Sequence, residues 1–243
     1  MSAHPHGARP RRRHLVAALT GTVTLLLVVI TAHRLGPAHT GLVVGPLVAA
    51  ALIVLGRRTG LTWEDIGLAR RTWLRGLLWG LGAVALVAVV YAIAAVVPAT
   101  RAAFLDSRYR LPTGISLLTA FVIIPFGTVL LEEVAFRGVI LGLIRRHRGA
   151  VRGAGFSSAL FGLWHVLPSL NMARANPAIA SVVGPGVAGQ VTTVLLTVAF
   201  TAGAGLLFCE LRRRSGSLLS CAGLHWATNG LGVVVAMLLW HAH

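Results

Sequence analysis

Charge is what this sequence has least of. Only 12% of its 243 residues are charged, where a soluble domain carries about 25%, and only six are acidic. Lysine is missing altogether, so the 22 basic residues are all arginine. Internal repeats and low-complexity linkers are absent as well. Cysteine is limited to Cys209 and Cys221, without the CxxC spacing of a redox or zinc motif, and both read as buried packing thiols. The shortage of charge, set against 56% hydrophobic residues in long apolar runs, excludes an ordinary soluble enzyme. It points to an all-α, polytopic transmembrane helix bundle.

A net charge of +16 raises the question of nucleic acid. The arginines, however, cluster between the apolar runs: Arg9 to Arg13, Arg57/Arg58, Arg70 to Arg75, Arg145 to Arg152 and Arg212 to Arg214. Topology explains that placement, because cytoplasmic loops accumulate arginine and lysine, and no nucleic-acid partner is expected.

About seven spans are expected, near 15–33, 40–55, 74–97, 115–144, 151–170, 187–209 and 216–240, each approaching the ~20 residues that cross the hydrocarbon core. The first is too long for a cleaved signal and is read as an uncleaved span. Pro125 should kink or break the fourth. With the N-terminus cytoplasmic, 16 arginines fall in inside loops and five outside, a firm positive-inside bias. Residues 1–110 thus supply N-terminal membrane helices and an interfacial segment at Thr62 to Leu68. Residues 111–243 form the remaining membrane core. Residues 171–186 form an outer loop or a short broken helix.

Few ionisable groups remain at membrane depth: Glu132, Glu133, Arg137, His165 and His225, with Asn229 as an uncharged companion. Charges there cost about 2.5–3.5 kcal/mol each at the helix centre. Glu133 and Arg137 stand i,i+4, acid first, the favourable order for a helical ion pair. Glu132 is rotated about 100° away, which leaves it free for a task. The alternatives are plain ones: a purely structural Glu133–Arg137 pair, a satisfied core histidine at 165, and interhelical glue from His225 and Asn229.

Depth argues against those. Glu132 precedes Arg145 by 13 residues and His165 follows Arg152 by 13, so both sit roughly 20 Å in from the arginine clusters. His225 and Asn229 follow Arg214 by 11 and 15 residues, roughly 16 and 22 Å. Three helices thus deliver their polar side chains to one level. A carboxylate with a histidine can activate water, and a histidine with an asparagine can donate to an oxyanion. The site reads as a hydrolase attacking an amide with water. Zinc held by Glu132, His165 and His225 is the rival, although the HExxH spacing is absent.

The three segments Glu132-Glu133-Val134-Ala135-Phe136-Arg137, Phe161-Gly162-Leu163-Trp164-His165 and His225-Trp226-Ala227-Thr228-Asn229 resemble the EExxxR, FxxxH and HxxxN motifs of the type II CAAX prenyl endopeptidases and their CPBP (Abi) relatives. The resemblance covers roughly 115–235. It implies an intramembrane endopeptidase of membrane-associated protein or peptide substrates, a multi-pass protein of the bacterial plasma membrane that requires no cofactor. In that reading Glu132 and His165 activate the water, His225 and Asn229 form the oxyanion hole, and Glu133 and Arg137 organise the site. A non-catalytic immunity or chaperone-like membrane factor is the alternative from another class.

Overall fold

The computed structural model describes residues 12–37 and 39–242. Arg9 and Arg11, part of the inside count, lie outside the described residues. Among those described, the regular elements are all helical. In chain order the main ones are α1 (Arg12–Leu35), α2 (Gly41–Arg58), the short α3 (Trp63–Ile66), α4 (Trp73–Val96), α5 (Thr113–Arg148), α6 (Ala150–Trp164), α7 (Gly186–Ser215) and α8 (Leu218–His241). Six of these, all but α3 and α6, are long and apolar enough to cross a membrane. Large apolar side chains such as Leu78, Leu86, Leu195 and Phe200 stand exposed along them, as lipid-facing surfaces require.

The remaining expected span is α6. Its 15 residues make about 22 Å of helix, short of the roughly 30 Å hydrocarbon core. It ends where His165 leaves helical geometry (φ −86°, ψ 0°). Short helices follow at Val166–Ser169, Met172–Ala175 and Pro177–Val183, so 171–186 is a broken helical stretch.

Helix α5 is the axis of the bundle. Every residue from 131 to 144 is buried, as a helix apolar nearly all round demands. Pro125 does not break it, since the helix runs on from Thr113 to Arg148. Instead the helix widens into a π-helical stretch over Thr119–Val129, which contains the proline. Two further π-helical stretches are Glu133–Ile140 and Ala227–Leu231. Such stretches disturb the i→i−4 ladder and recur at functional sites, and any carbonyl they release must find a donor inside a membrane. Each stretch has one carbonyl served from a neighbouring helix. Trp226 Nε1 donates to Ala120 O (2.7 Å), Ser157 Oγ to Phe136 O (2.7 Å) and the Tyr91 hydroxyl to Thr228 O (2.9 Å).

Small residues let the helices close on this axis. A Cβ on Gly223 would come within 2.8 Å of the Gly80 backbone, and one on Gly162 within 2.7 Å of Val198 O. Neither position accommodates a side chain without moving backbone, which fixes α4 against α8 and α6 against α7.

Arg57, Arg145, Arg146 and Arg212 meet at one end of the bundle. There α3 is closed by a capping box, with Thr62 Oγ1 accepting from Asp65 N (3.0 Å) and Asp65 Oδ2 accepting from Thr62 N (2.9 Å). Four residues do not hold a helix by themselves. Arg212 of α7 donates to Glu64 O (2.6 Å), Arg145 of α5 pairs with Asp65 (3.1 Å), and Arg57 of α2 donates to Leu61 O (2.7 Å). Arg146 reaches Gly60 O. The interfacial segment expected from the sequence is therefore a short helix bolted to three spans.

Candidate active site

Helix α5 carries the glutamates where its α-helical turn Leu130–Glu132 passes into the π-helical stretch Glu133–Ile140, and α6 and α8 bring the histidines. Glu133 Oε1 accepts from Arg137 Nη1 (3.1 Å) and from His225 Nδ1 (2.7 Å). Arg137 is completely buried. Its guanidinium carbon lies 3.8 Å from the Phe161 ring centroid and 4.5 Å from that of Phe208, so aromatic faces supply what a single carboxylate cannot. Phe208 also stacks on His225, with centroids 5.4 Å apart and planes 25° from parallel. The imidazole is thus fixed at its Nδ1 edge by Glu133 and on one face by Phe208.

Glu132 points elsewhere. Its Oε1 accepts from Trp164 Nε1 (2.9 Å). Its Oε2 is buried without a hydrogen-bond partner among the described residues, 3.7 Å from His225 Nε2. Glu132 also lines a cavity of about 400 Å³, together with Ile30, Thr128, Trp164, Leu167 and Pro168. Buried polar atoms are normally satisfied, so an unsatisfied carboxylate oxygen on a residue that borders a cavity marks Glu132 as a candidate for work on a water or a substrate group.

His165 caps the end of α6, half-buried. Its Nδ1 is 2.8 Å from Phe161 O. A carbonyl only accepts, so Nδ1 carries the proton and Nε2 is the nitrogen left for other work. Its ring lies edge-on to Phe161 at 4.6 Å. His165 forms no ion pair or hydrogen bond with Glu132, whose partners are Trp164 and His225. Asn229 shares the α8 π-helical stretch but is exposed, and its amide bonds to none of the described residues. The structure therefore joins Glu132, Glu133, Arg137 and His225 in direct contact. It sets His165 one ring away and leaves Asn229 open to its surroundings.

Two residues of the cluster escaped the reading of the sequence. Trp164 had a usable signal, since an indole N–H at membrane depth needs an acceptor and Trp164 adjoins His165. Phe208, in a run of apolar residues on α7, had none. For a metal, the donors do not come together. Among the described residues no three His, Cys, Asp or Glu side chains form a metal-binding group, because His165 stands off from the Glu132–His225 approach. The zinc set considered from the sequence is not assembled by this geometry.

Residues 114–231 match the family described as "Type II CAAX prenyl endopeptidase Rce1-like". Over these residues the chain is similar to that family. The matched stretch, just under half of the chain, contains the whole site from Glu132 to Asn229. No curated protein and no solved structure matches. The Rce1-like family is a protease family, so at family level this is a CAAX-protease-like membrane endopeptidase, a hydrolase acting on peptides. With six apolar helices it is a multi-pass membrane protein acting on protein substrates.

Proposed function

We propose that this Rce1-like protein cleaves peptide bonds within the membrane by Glu132-activated water, without a required metal, in the bacterial plasma membrane. The observation that supports it best is the asymmetry of the adjacent glutamates. Each keeps one oxygen unpartnered among the described residues, but Glu133 is tied through its other oxygen to Arg137 and His225, whereas Glu132 has no guanidinium partner and borders a cavity. Glu132 takes a proton from a water in that cavity as the oxygen of the water attacks the carbonyl carbon. Trp164 holds the other carboxylate oxygen, so the proton arrives on Oε2. His165, with Nε2 available to accept, orients the same water, and the proton held by Glu132 then goes to the leaving amine as the C–N bond breaks.

His225 donates Nδ1–H to Glu133. When it also carries a proton on Nε2, two carboxylates balance one guanidinium and one imidazolium, and the buried group is neutral. That Nε2–H then serves the oxyanion of the tetrahedral intermediate. Asn229, exposed and unengaged, offers its amide as the second donor. Glu133 and Arg137 keep His225 in place.

Glu132→Gln preserves shape and removes the base. Peptidase activity against quenched peptides in proteoliposomes is expected to fall about a thousandfold with thermal unfolding unchanged. Full activity in a folded Glu132→Gln and a folded His165→Ala would overturn the reading and favour a non-catalytic membrane factor. Stoichiometric zinc lost together with activity under a chelator would overturn the metal-free part alone.

A further inference from the structure

Away from the site, at the arginine-rich end, lies an open concavity of about 960 Å³. Arg57, Arg70 and Arg71 line it with Trp63 and Trp73, and Glu64 is its one acid. Three arginines against one glutamate leave a net charge of +2. Arg71 is held by Glu64 at 2.7 Å, both largely exposed. Arg57 is pinned by its bond to Leu61 O and by the Trp63 face at 4.8 Å, which orients its guanidinium on the wall. Arg70 is exposed and has no partner among the described residues. Both tryptophans are about half exposed at the rim, and Trp73 is anchored through its indole N–H to Leu68 O (3.2 Å).

The geometry points to this concavity as a binding site for the phosphate headgroup of an anionic phospholipid. Guanidinium groups recognise phosphate by charge-assisted, often bidentate hydrogen bonds, and tryptophan settles at the headgroup level of a bilayer. The occupant is a lipid rather than a free anion because α4 begins at Trp73 and turns Leu74, Leu77 and Leu78 outward immediately beyond it. An acyl chain attached to a phosphate in the concavity would run along that apolar face. The same lipid would bridge α2 and α4 across α3, the element with the least helix of its own.

The test uses the full chain in a neutral detergent. Thermal unfolding is followed with added phosphatidylglycerol, phosphatidylcholine or inorganic phosphate, and retained lipid is counted by native mass spectrometry. Phosphatidylglycerol is expected to raise the unfolding temperature and stay bound, while phosphatidylcholine and inorganic phosphate do neither. The Arg70→Gln/Arg71→Gln double variant removes exposed side chains only and is expected to weaken phosphatidylglycerol about 30-fold, at roughly a factor of five per arginine. Arg213→Gln/Arg214→Gln lowers the net charge equally at exposed positions outside the concavity, and should retain the lipid. Equal losses from both doubles, no loss from the first, no stabilisation by phosphatidylglycerol, or equal stabilisation by inorganic phosphate would each overturn the assignment.

Discussion

Arg137 and Arg212 are both deeply buried, at 0% and 3% exposure, yet they do opposite things. Arg212 spends its guanidinium on the backbone carbonyls of Glu64 and Asp65 (2.6 and 3.3 Å). Without it, Asp65 O would lose this donor and Glu64 O would keep only the N–H of Gly67 (3.1 Å). Arg137 faces a carboxylate and two aromatic rings, and its Nε and Nη2 remain unsatisfied, as do Glu132 Oε2 and Glu133 Oε2. In one region the guanidinium is spent on backbone carbonyls, with Arg212 Nε its one buried nitrogen left without a partner among the described residues. The other keeps unsatisfied polar groups in the middle of an apolar bundle, where holding them costs stability. Such a cost is retained where it does chemistry.

The largest effect that separates the two regions comes from Arg137→Met. It leaves Glu133 charged, buried and without its cation, which is expected to destabilise the fold by about 3–5 kcal/mol and abolish peptidase activity. Adding Glu133→Gln removes the orphaned charge and should restore most of the stability in chemical denaturation, but not the activity, because His225 has lost its anchoring anion. Recovery of activity in the double variant would show that the pair is structural only.

Asn229→Ala comes next. An oxyanion donor is worth about 10²–10³ in kcat, and the exposed amide supports nothing else among the described residues. Activity should therefore fall about a hundredfold with the unfolding temperature unchanged. A loss of stability in place of activity would mean that the amide packs rather than works.

Trp164→Phe keeps the ring and deletes the N–H given to Glu132. The expected loss is about tenfold in kcat, within the range of one hydrogen bond to a charged group, with KM unchanged. A change confined to KM would place Trp164 in substrate binding instead.

Much of this was legible in the sequence. Long apolar runs gave the helical bundle, and the i,i+4 spacing of Glu133 and Arg137 gave their ion pair, observed at 3.1 Å. Counting from the arginine clusters brought α5, α6 and α8 to a common level, and their motif residues do converge. What spacing could not supply was lateral geometry. It put Glu132 and His165 at one depth but could not show that the chain ends α6 at His165 and turns Trp164 toward the carboxylate. It placed Asn229 beside His225 on one face, but could not show that His225 is buried while Asn229, in the π-helical stretch Ala227–Leu231, is exposed. Pro125 marked a disruption correctly, and the form it took depended on Trp226 supplying a donor from another helix.

Arg212→Met tests the contrast from the structural side and should change activity least. It removes hydrogen bonds to two carbonyls at the end of α3, worth about 1–3 kcal/mol when left unmade. The loss should appear as lower unfolding free energy and faster amide exchange over residues 60–67. Turnover per folded molecule should stay within about twofold, because Arg145, which shares this end, lies 13 residues along α5 from Glu132, roughly 20 Å. One route could still link the regions. Phe208, which stacks on His225, precedes Arg212 by one turn of α7, so a shift of that turn would move the imidazole. A tenfold fall in kcat for Arg212→Met, rescued by nothing at Glu64 or Asp65, would show that the basic end holds the His225 stack in register. The two buried arginines would then belong to a single cooperative unit.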